Sequence, residues 1–154
     1  SLLYLDLDHF KEINDAHGHH IGDLVLRQAA ERISARIRHS DLVARLGGDE
    51  FTILLQNVNS DEDVRRVALE IIGSVGKPYV VEGIKCFLGA SIGVSRYPDH
   101  GPTPEDLIKA ADTAMYKAKK EGGDTVAFYD QDLAAKDTKP DEHSSGPPEE
   151  ELVD

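Results

Sequence analysis

The chain opens on an apolar run, Leu2, Leu3, Tyr4 and Leu5, that closes in the acids Asp6 and Asp8. Apolar residues at both odd and even positions predict a strand covered on both faces, with carboxylates at its end. A short helix or turn is expected over 10–16, then a loop at His17, Gly18, His19 and His20. From 21 to about 39, Val25, Leu26, Ala29, Ala30, Ile33 and Ile37 recur at three- and four-residue steps, with Arg27, Glu31, Arg32 and Arg36 between them, which predicts an amphipathic helix. Leu42-Val43-Ala44 and Phe51-Thr52-Ile53-Leu54-Leu55 flank Gly47-Gly48, the pattern of two strands joined by a tight turn. Ser60-Asp61-Glu62-Asp63 reads as a helix start, and Val64, Val67, Ala68, Ile71, Ile72 and Val75 supply its buried stripe.

Residues 79–81 and 84–94 predict two further strands around Glu82-Gly83, most simply a hairpin, with Ser91-Ile92-Gly93-Val94 deep in the sheet. Thr103-Pro104-Glu105-Asp106 combines an N-cap with proline at the first helical position, and Leu107, Ala110, Ala111, Ala114 and Ala118 continue at helical spacing towards Gly122. A last edge strand is expected over 125–129. The order β-α-α-β-β-α-β-β-α-β describes an α/β chain of the α+β kind. It predicts a mixed central sheet of about five to six strands flanked by helices, not a doubly wound parallel sheet. The first strand and the glycine hairpin, being the most hydrophobic, are expected as neighbours at its centre.

Composition narrows the class. The chain has 154 residues, 40% of them hydrophobic, enough for one domain with a real core and too few for two. A net charge of -12 argues against tight binding of DNA or RNA, so an anionic ligand needs local Arg, Lys or metal. Half of that charge falls in 131–154, where eight acids and two lysines accompany Pro, Ser and Gly with almost nothing apolar. That stretch is expected to be an acidic disordered tail or linker, leaving 1–130 as the folded domain. Cys86 is the one cysteine; it has no internal disulfide partner and reads as a buried strand residue in a reducing compartment. No apolar run approaches the roughly 18 residues of a membrane span and no signal-peptide pattern opens the chain, so no membrane contact is expected. The abrupt apolar start suggests a fragment of a longer polypeptide.

The candidate chemistry lies at the glycine hairpin. Asp49 and Glu50 follow Gly47-Gly48 at its tip, and adjacent carboxylates repel unless a cation compensates them. Glycine leaves room for a ligand to approach the backbone. The alternative is an ordinary solvated turn. If the first strand neighbours the hairpin, Asp6 and Asp49 meet at one sheet edge as a hard, all-oxygen site suited to magnesium shared with substrate phosphates. His9, His17, His19 and His20 match no familiar zinc spacing.

Gly47-Gly48-Asp49-Glu50-Phe51 resembles the signature of the GGDEF domain, the diguanylate cyclase family. The resemblance extends to Asp6-Leu7-Asp8-His9-Phe10-Lys11 with Asn14-Asp15, His19 and Gly22-Asp23, to Arg38-His39-Ser40-Asp41, to Ala90-Ser91-Ile92-Gly93-Val94, and to Ala111-Asp112 through Tyr116 to Lys119. It covers residues 2 to about 130. It implies a fold like the palm of nucleotidyl cyclases and polymerases, and condensation of two GTP to cyclic di-GMP by a homodimer in which each subunit holds one GTP. It also implies a cytoplasmic, bacterial protein. Asp6, the Leu7 carbonyl, Asp49 and Glu50 would then resemble the ligands of magnesium or manganese, and Asp49 and Glu50 the catalytic acids. Asn14 and Asp23, with His19 nearby, would read guanine. Backbone around Phe10, Lys11, Gly47 and Gly48, together with Lys119, would hold phosphates; without the resemblance Lys119 is a solvated helix lysine. Arg38 and Asp41, followed by Arg45, match an R-x-x-D inhibitory site for the product, although Arg38 also suits a helix C-terminus.

Two departures stand out. The helix with a D-x-L-T-x-L-x-N-R pattern usual before the first strand is absent, and Gly123 stands where the family usually has arginine, with Lys120 as a substitute. Two rival readings follow. One is a catalytically weak module that binds GTP or cyclic di-GMP to regulate an adjacent domain such as a phosphodiesterase. The other, a cyclase acting on another nucleotide, is disfavoured by Asn14 and Asp23.

Overall fold

A computed structural model describes residues 1–130; the expected acidic tail at 131–154 lies outside the described residues. The elements run β1 (Leu2–Asp8), α1 (Phe10–His17), α2 (His19–Ser34), β2 (Leu42–Gly47), β3 (Glu50–Leu54), α3 (Asp61–Val75), β4 (Tyr79–Val81), β5 (Ile84–Cys86), β6 (Gly89–Ser95), α4 (Pro104–Lys120) and β7 (Val126–Phe128). Five strands form one mixed sheet in the order β2-β3-β1-β6-β7. β1 pairs antiparallel with both β3 and β6, and β7 runs parallel to β6 at the far edge. The expected centre, hairpin and edge strand are therefore all present.

Alternation along β1 decides what each face meets. Leu3, Leu5 and Leu7 are 1% exposed or less and join Val25, Leu26, Ala29 and Ile33 of α2 and Val64, Ala68 and Ile71 of α3 in the main core. Tyr4 turns the other way, packing with Ala111 and Met115 of α4. Asp6 and Asp8 share Tyr4's side of the strand. On this side β6 presents Gly93, Ser91 and Gly89 opposite Tyr4, Asp6 and Asp8. Gly93 has to be small: a Cβ there would overlap the Ala111 carbonyl and the Met115 amide, so the backbone of α4 rests directly on β6. Leu42, Leu46 and Leu54 of the β2–β3 pair stay exposed.

Three boundaries differ from the sequence expectation. The α2 helix starts at His19, not 21, because Gly18 (φ 85°, ψ 164°) breaks the chain and its carbonyl accepts from Gly22 N–H. His19 and His20 are thus helical, and Asp23 sits beyond the first turn rather than in it. At the other end α2 stops at Ser34. The buried Asp41 carboxylate accepts from Arg38 N–H (2.9 Å) and Gln56 N–H (3.0 Å), drawing the connection into a turn, so Arg38 does not cap the helix. The run 84–94 is two strands: Cys86 pairs with Tyr79 in a separate hairpin, whereas Gly89 pairs with Asp8 in the main sheet, and Phe87 and Leu88 cross between them. Ser60 and Thr103 cap α3 and α4 as expected, accepting from Asp63 N–H and Asp106 N–H.

Candidate functional site

Tyr4, Asp6 and Asp8 each hold a different piece of one site. The Tyr4 hydroxyl donates to Glu50 Oε2 at 2.7 Å, across the strand pair in which Asp6 stands opposite Glu50. Lys119 Nζ, from the last turn of α4, meets Asp6 Oδ2 at 2.7 Å. Asp6 Oδ1 is buried and has no hydrogen-bond partner. Leu7 N–H donates to the Asp49 carbonyl at 3.1 Å, and in an antiparallel pair a residue's N–H and C=O point the same way, so the Leu7 carbonyl also faces the β2–β3 turn. The turn itself needs Gly47 (φ 148°) and Gly48 (φ 51°). Arg45 Nε braces it through the Gly48 carbonyl at 2.9 Å.

The electrostatics follow from this crowding. Burial pushes the Asp6 carboxyl up to about 6; the Lys119 ammonium opposes the rise and the Asp49 carboxylate adds to it. For Lys119 burial works against the charge, but the contact with Asp6 outweighs it and the ammonium is held above its ordinary range. Burial and the bond to Glu50 raise the Tyr4 phenol, which stays a neutral donor.

An unpartnered buried carboxylate oxygen beside a second acid and a free-facing carbonyl suits a hard divalent cation. Among the described residues no group of three or more His, Cys, Asp or Glu is placed to hold a metal ion. A cation here would complete its shell with water or a ligand's oxygens. With its carboxyl pushed up to about 6, Asp6 would offer a cation a site for which protons compete, and if magnesium is held there its affinity should fall by up to about tenfold per pH unit below 6. Calorimetric titration at pH 5, 6 and 7.5 checks this; a flat affinity would remove Asp6 from the ligand set. The same shift works in the opposite sense on the metal-free fold. The folded chain binds the extra proton between about pH 4 and 6, so this group's contribution to stability falls as pH rises through that window.

The residues expected to read a base lie on the α1–α2 hairpin. Asn14 is half-buried, its Oδ1 buried and unpartnered, and it occupies the space that a Cβ at Gly22 would fill. Asp23 and His19 are exposed on α2. Phe10 and Lys11 open α1, where the first-turn N–H groups lack helical partners.

The arginines expected to act together are divided. Arg38 and Asp41 line a surface cavity of about 380 Å³ together with Arg36 and Arg66. Arg45 is not part of it, being engaged at the signature turn. Three participants escaped the sequence reading: Tyr4 at the turn, and Arg36 and Arg66 at the cavity. Tyr4 was recoverable from its period-two relation to Asp6 on one strand face; Arg66 on α3 carried no local signal.

Comparison with known proteins agrees with this architecture. Residues 1–125 match the family described as "Diguanylate cyclase, GGDEF domain". The chain is 47% identical over 122 residues to diguanylate cyclase TpbB of Pseudomonas aeruginosa, covering 79% of this chain and 28% of TpbB. It is 41% identical over 135 residues to the bifunctional diguanylate cyclase/cyclic di-GMP phosphodiesterase MucR of the same organism, covering 88% of this chain and 20% of MucR. It therefore spans between a fifth and three-tenths of the length of these relatives. The crystal structure of the TpbB GGDEF domain superposes with a TM-score of 0.81 at 44% identity, covering 84% of this chain and 81% of that one.

Proposed function

The chain belongs to the GGDEF family of diguanylate cyclase domains, and on that premise we propose that it condenses two GTP into cyclic di-GMP with release of pyrophosphate. The observation that carries the proposal is the Asp6–Lys119 pair, with a spare Asp6 oxygen and the Asp49 carboxylate near enough to raise the Asp6 carboxyl. It sets charge of both signs where a triphosphate and its cation would lie. Asp6, the Leu7 carbonyl, Asp49 and Glu50 are the groups that would hold magnesium or manganese, and the cation would offset charge on the attacked α-phosphate.

The chain's own residues account for the rest. Glu50, steered by the Tyr4 hydroxyl, receives the proton of a ribose 3′-hydroxyl as that oxygen bonds to the α-phosphorus of the second GTP. The bond from that phosphorus to the bridging oxygen breaks, and pyrophosphate leaves. The same exchange in the opposite direction closes the ring, so two GTP-loaded copies must face each other. Lys119 and the N–H groups around Phe10 and Lys11 hold the β- and γ-phosphates, and Gly47-Gly48 lets the nucleotide approach the turn. Asn14 and Asp23, with His19 beside them, receive the guanine edge. The cavity at Arg38 and Asp41, with Arg36 and Arg66 on its wall, is the place for inhibitory product; Arg45 acts at the turn. A GTP-consuming domain of this kind works in the cytoplasm, as one part of a larger bacterial signalling protein. Among the described residues no helix is long and apolar enough to cross a membrane.

Cyclic di-GMP is expected when the protein is incubated with GTP and magnesium and the products are separated by chromatography. Its rate should rise more steeply than linearly with protein concentration, because two copies form each productive site. GTP binding without product, even with a dimerising helix attached, would replace the cyclase by a module that binds nucleotide to regulate a neighbouring domain.

A further inference from the structure

Asp8 ends β1 two residues beyond Asp6, on the same face, near enough to the Lys119 ammonium to favour its charge, and its hydrogen bonds go to β6 and to the loop after α4. Its carboxylate accepts from Ser91 Oγ on β6 (2.8 Å to Oδ1 and 3.0 Å to Oδ2) and from the Asp124 N–H at 2.8 Å. Asp124 lies 116 positions along the chain, in the loop that follows α4. That loop has three successive residues at positive φ: Gly122 (111°), Gly123 (73°) and Asp124 (52°). Two bonds wind it back on the helix, Gly122 N–H to the Lys119 carbonyl and Gly123 N–H to the Ala118 carbonyl, both 3.1 Å. A Cβ on Gly123 would stand 2.8 Å from Asp8 Oδ2, and one on Gly89 3.1 Å from the same oxygen. The carboxylate is thus seated between two glycines that leave it room and two donors that fix it.

Lys119 is the residue whose carbonyl begins this loop. Its side chain is long, and placing its ammonium costs side-chain entropy, to which an unfastened backbone beneath would add its own. We propose that Asp8 is a positioning residue for Lys119: by fastening the Gly122–Asp124 loop to β1 and β6, it delivers the ammonium to the phosphate end of the nucleotide. The glycine at 123 belongs to the same device: at φ 73° a side chain is strained, and a Cβ there would oblige the Asp8 carboxylate to shift from its seat. The proposal rests on the nucleotide-condensing reading for the identity of the ligand, and it assigns Asp8 no contact with ligand or metal.

The test compares the affinities for GTP and GMP, measured by calorimetry with magnesium present, because Lys119 serves the phosphates that GMP lacks. Asp8→Ala is expected to weaken GTP about tenfold and leave GMP within about twofold. Asp8→Asn, whose amide oxygen still accepts from Asp124 N–H and whose amide N–H meets the Ser91 hydroxyl, should recover most of the loss. Gly123→Ala should reproduce Asp8→Ala, which keeps the test available if Asp8→Ala folds poorly. Lys119→Met should lower GTP affinity by as much or more, and adding Asp8→Ala to it should change little further, because both act through one ammonium. Equal losses for GTP and GMP, an Asn variant as damaged as the Ala variant, or additive effects with Lys119→Met would each overturn the role of Asp8 while leaving the site's assignment intact. A parent protein that binds neither nucleotide would overturn both.

Discussion

Glu50→Gln is expected to lower cyclic di-GMP formation by about 10²- to 10⁴-fold, the range for losing a positioned base, while GTP affinity changes only a few-fold. The substitution isolates charge from shape. Glutamine keeps the length of the side chain and an oxygen that can accept from the Tyr4 hydroxyl, now 2.7 Å from Glu50 Oε2, so the strand pair and the turn should hold. What disappears is a carboxylate able to take the ribose proton or to assist the cation. Single-turnover assays at saturating GTP, with thermal unfolding as the control, would show whether chemistry alone has been lost. Turnover within tenfold of the parent would exclude Glu50 as base and as essential ligand.

The largest effect on stability is expected from Gly93→Ala. The added methyl would overlap the Ala111 carbonyl and the Met115 amide, both backbone, so neither can rotate aside. The α4 helix would have to lift from β6, uncovering Ala111 and Ala114 (0% exposed) and Met115 (2%). Overpacking of this kind costs about 3 kcal/mol. For a domain of this size that lowers the melting temperature by on the order of 10 °C. Lifting α4 also withdraws Lys119 from Asp6, so loss of GTP affinity should accompany loss of stability. Gly73→Ala provides the contrast: a Cβ at this position of α3 meets nothing within 4 Å, and replacing a helical glycine by alanine there should be neutral or stabilise by about 0.5–1 kcal/mol. Scanning calorimetry on the two variants decides the matter; a melting temperature within about 2 °C for Gly93→Ala would mean that α4 shifts at little cost.

Much of the fold was legible because local chemistry and tertiary packing agree. The run Leu2 to Leu5, apolar on both faces, became the central strand, since only a strand with neighbours on both sides and helices above and below satisfies that pattern. Ser60 and Thr103 announced α3 and α4 by cap chemistry that acts within four residues. The misplaced boundaries lie where a distant partner overrides local preference. The helix periodicity ran on past Ser34 through Ile37, but the buried Asp41 carboxylate ties Arg38 and Gln56 into a turn instead. The apolar run 84–94 had no break signal at Phe87 and Leu88, and only competition between Tyr79 and β1 for its two halves divides it.

The same division holds for the site. The residues by themselves determined which segments are strands and helices, that acids terminate β1 and occupy the glycine turn, and which family those acids resemble; these follow from periodicity, turn chemistry and residue type, all local properties. Tertiary structure decided that Tyr4, Asp6 and Asp8 face α4, that Lys119 reaches Asp6, that Asp8 is spent on the loop at Gly123, and that Arg45 joins the turn rather than the arginine-lined cavity. The reason is that periodicity states which residues share a face but not what covers it. Which helix lands on which face, and in what register, depends on packing between segments distant in sequence, where one absent methyl at Gly93, against α4, and one at Gly123, against Asp8, set how closely they approach.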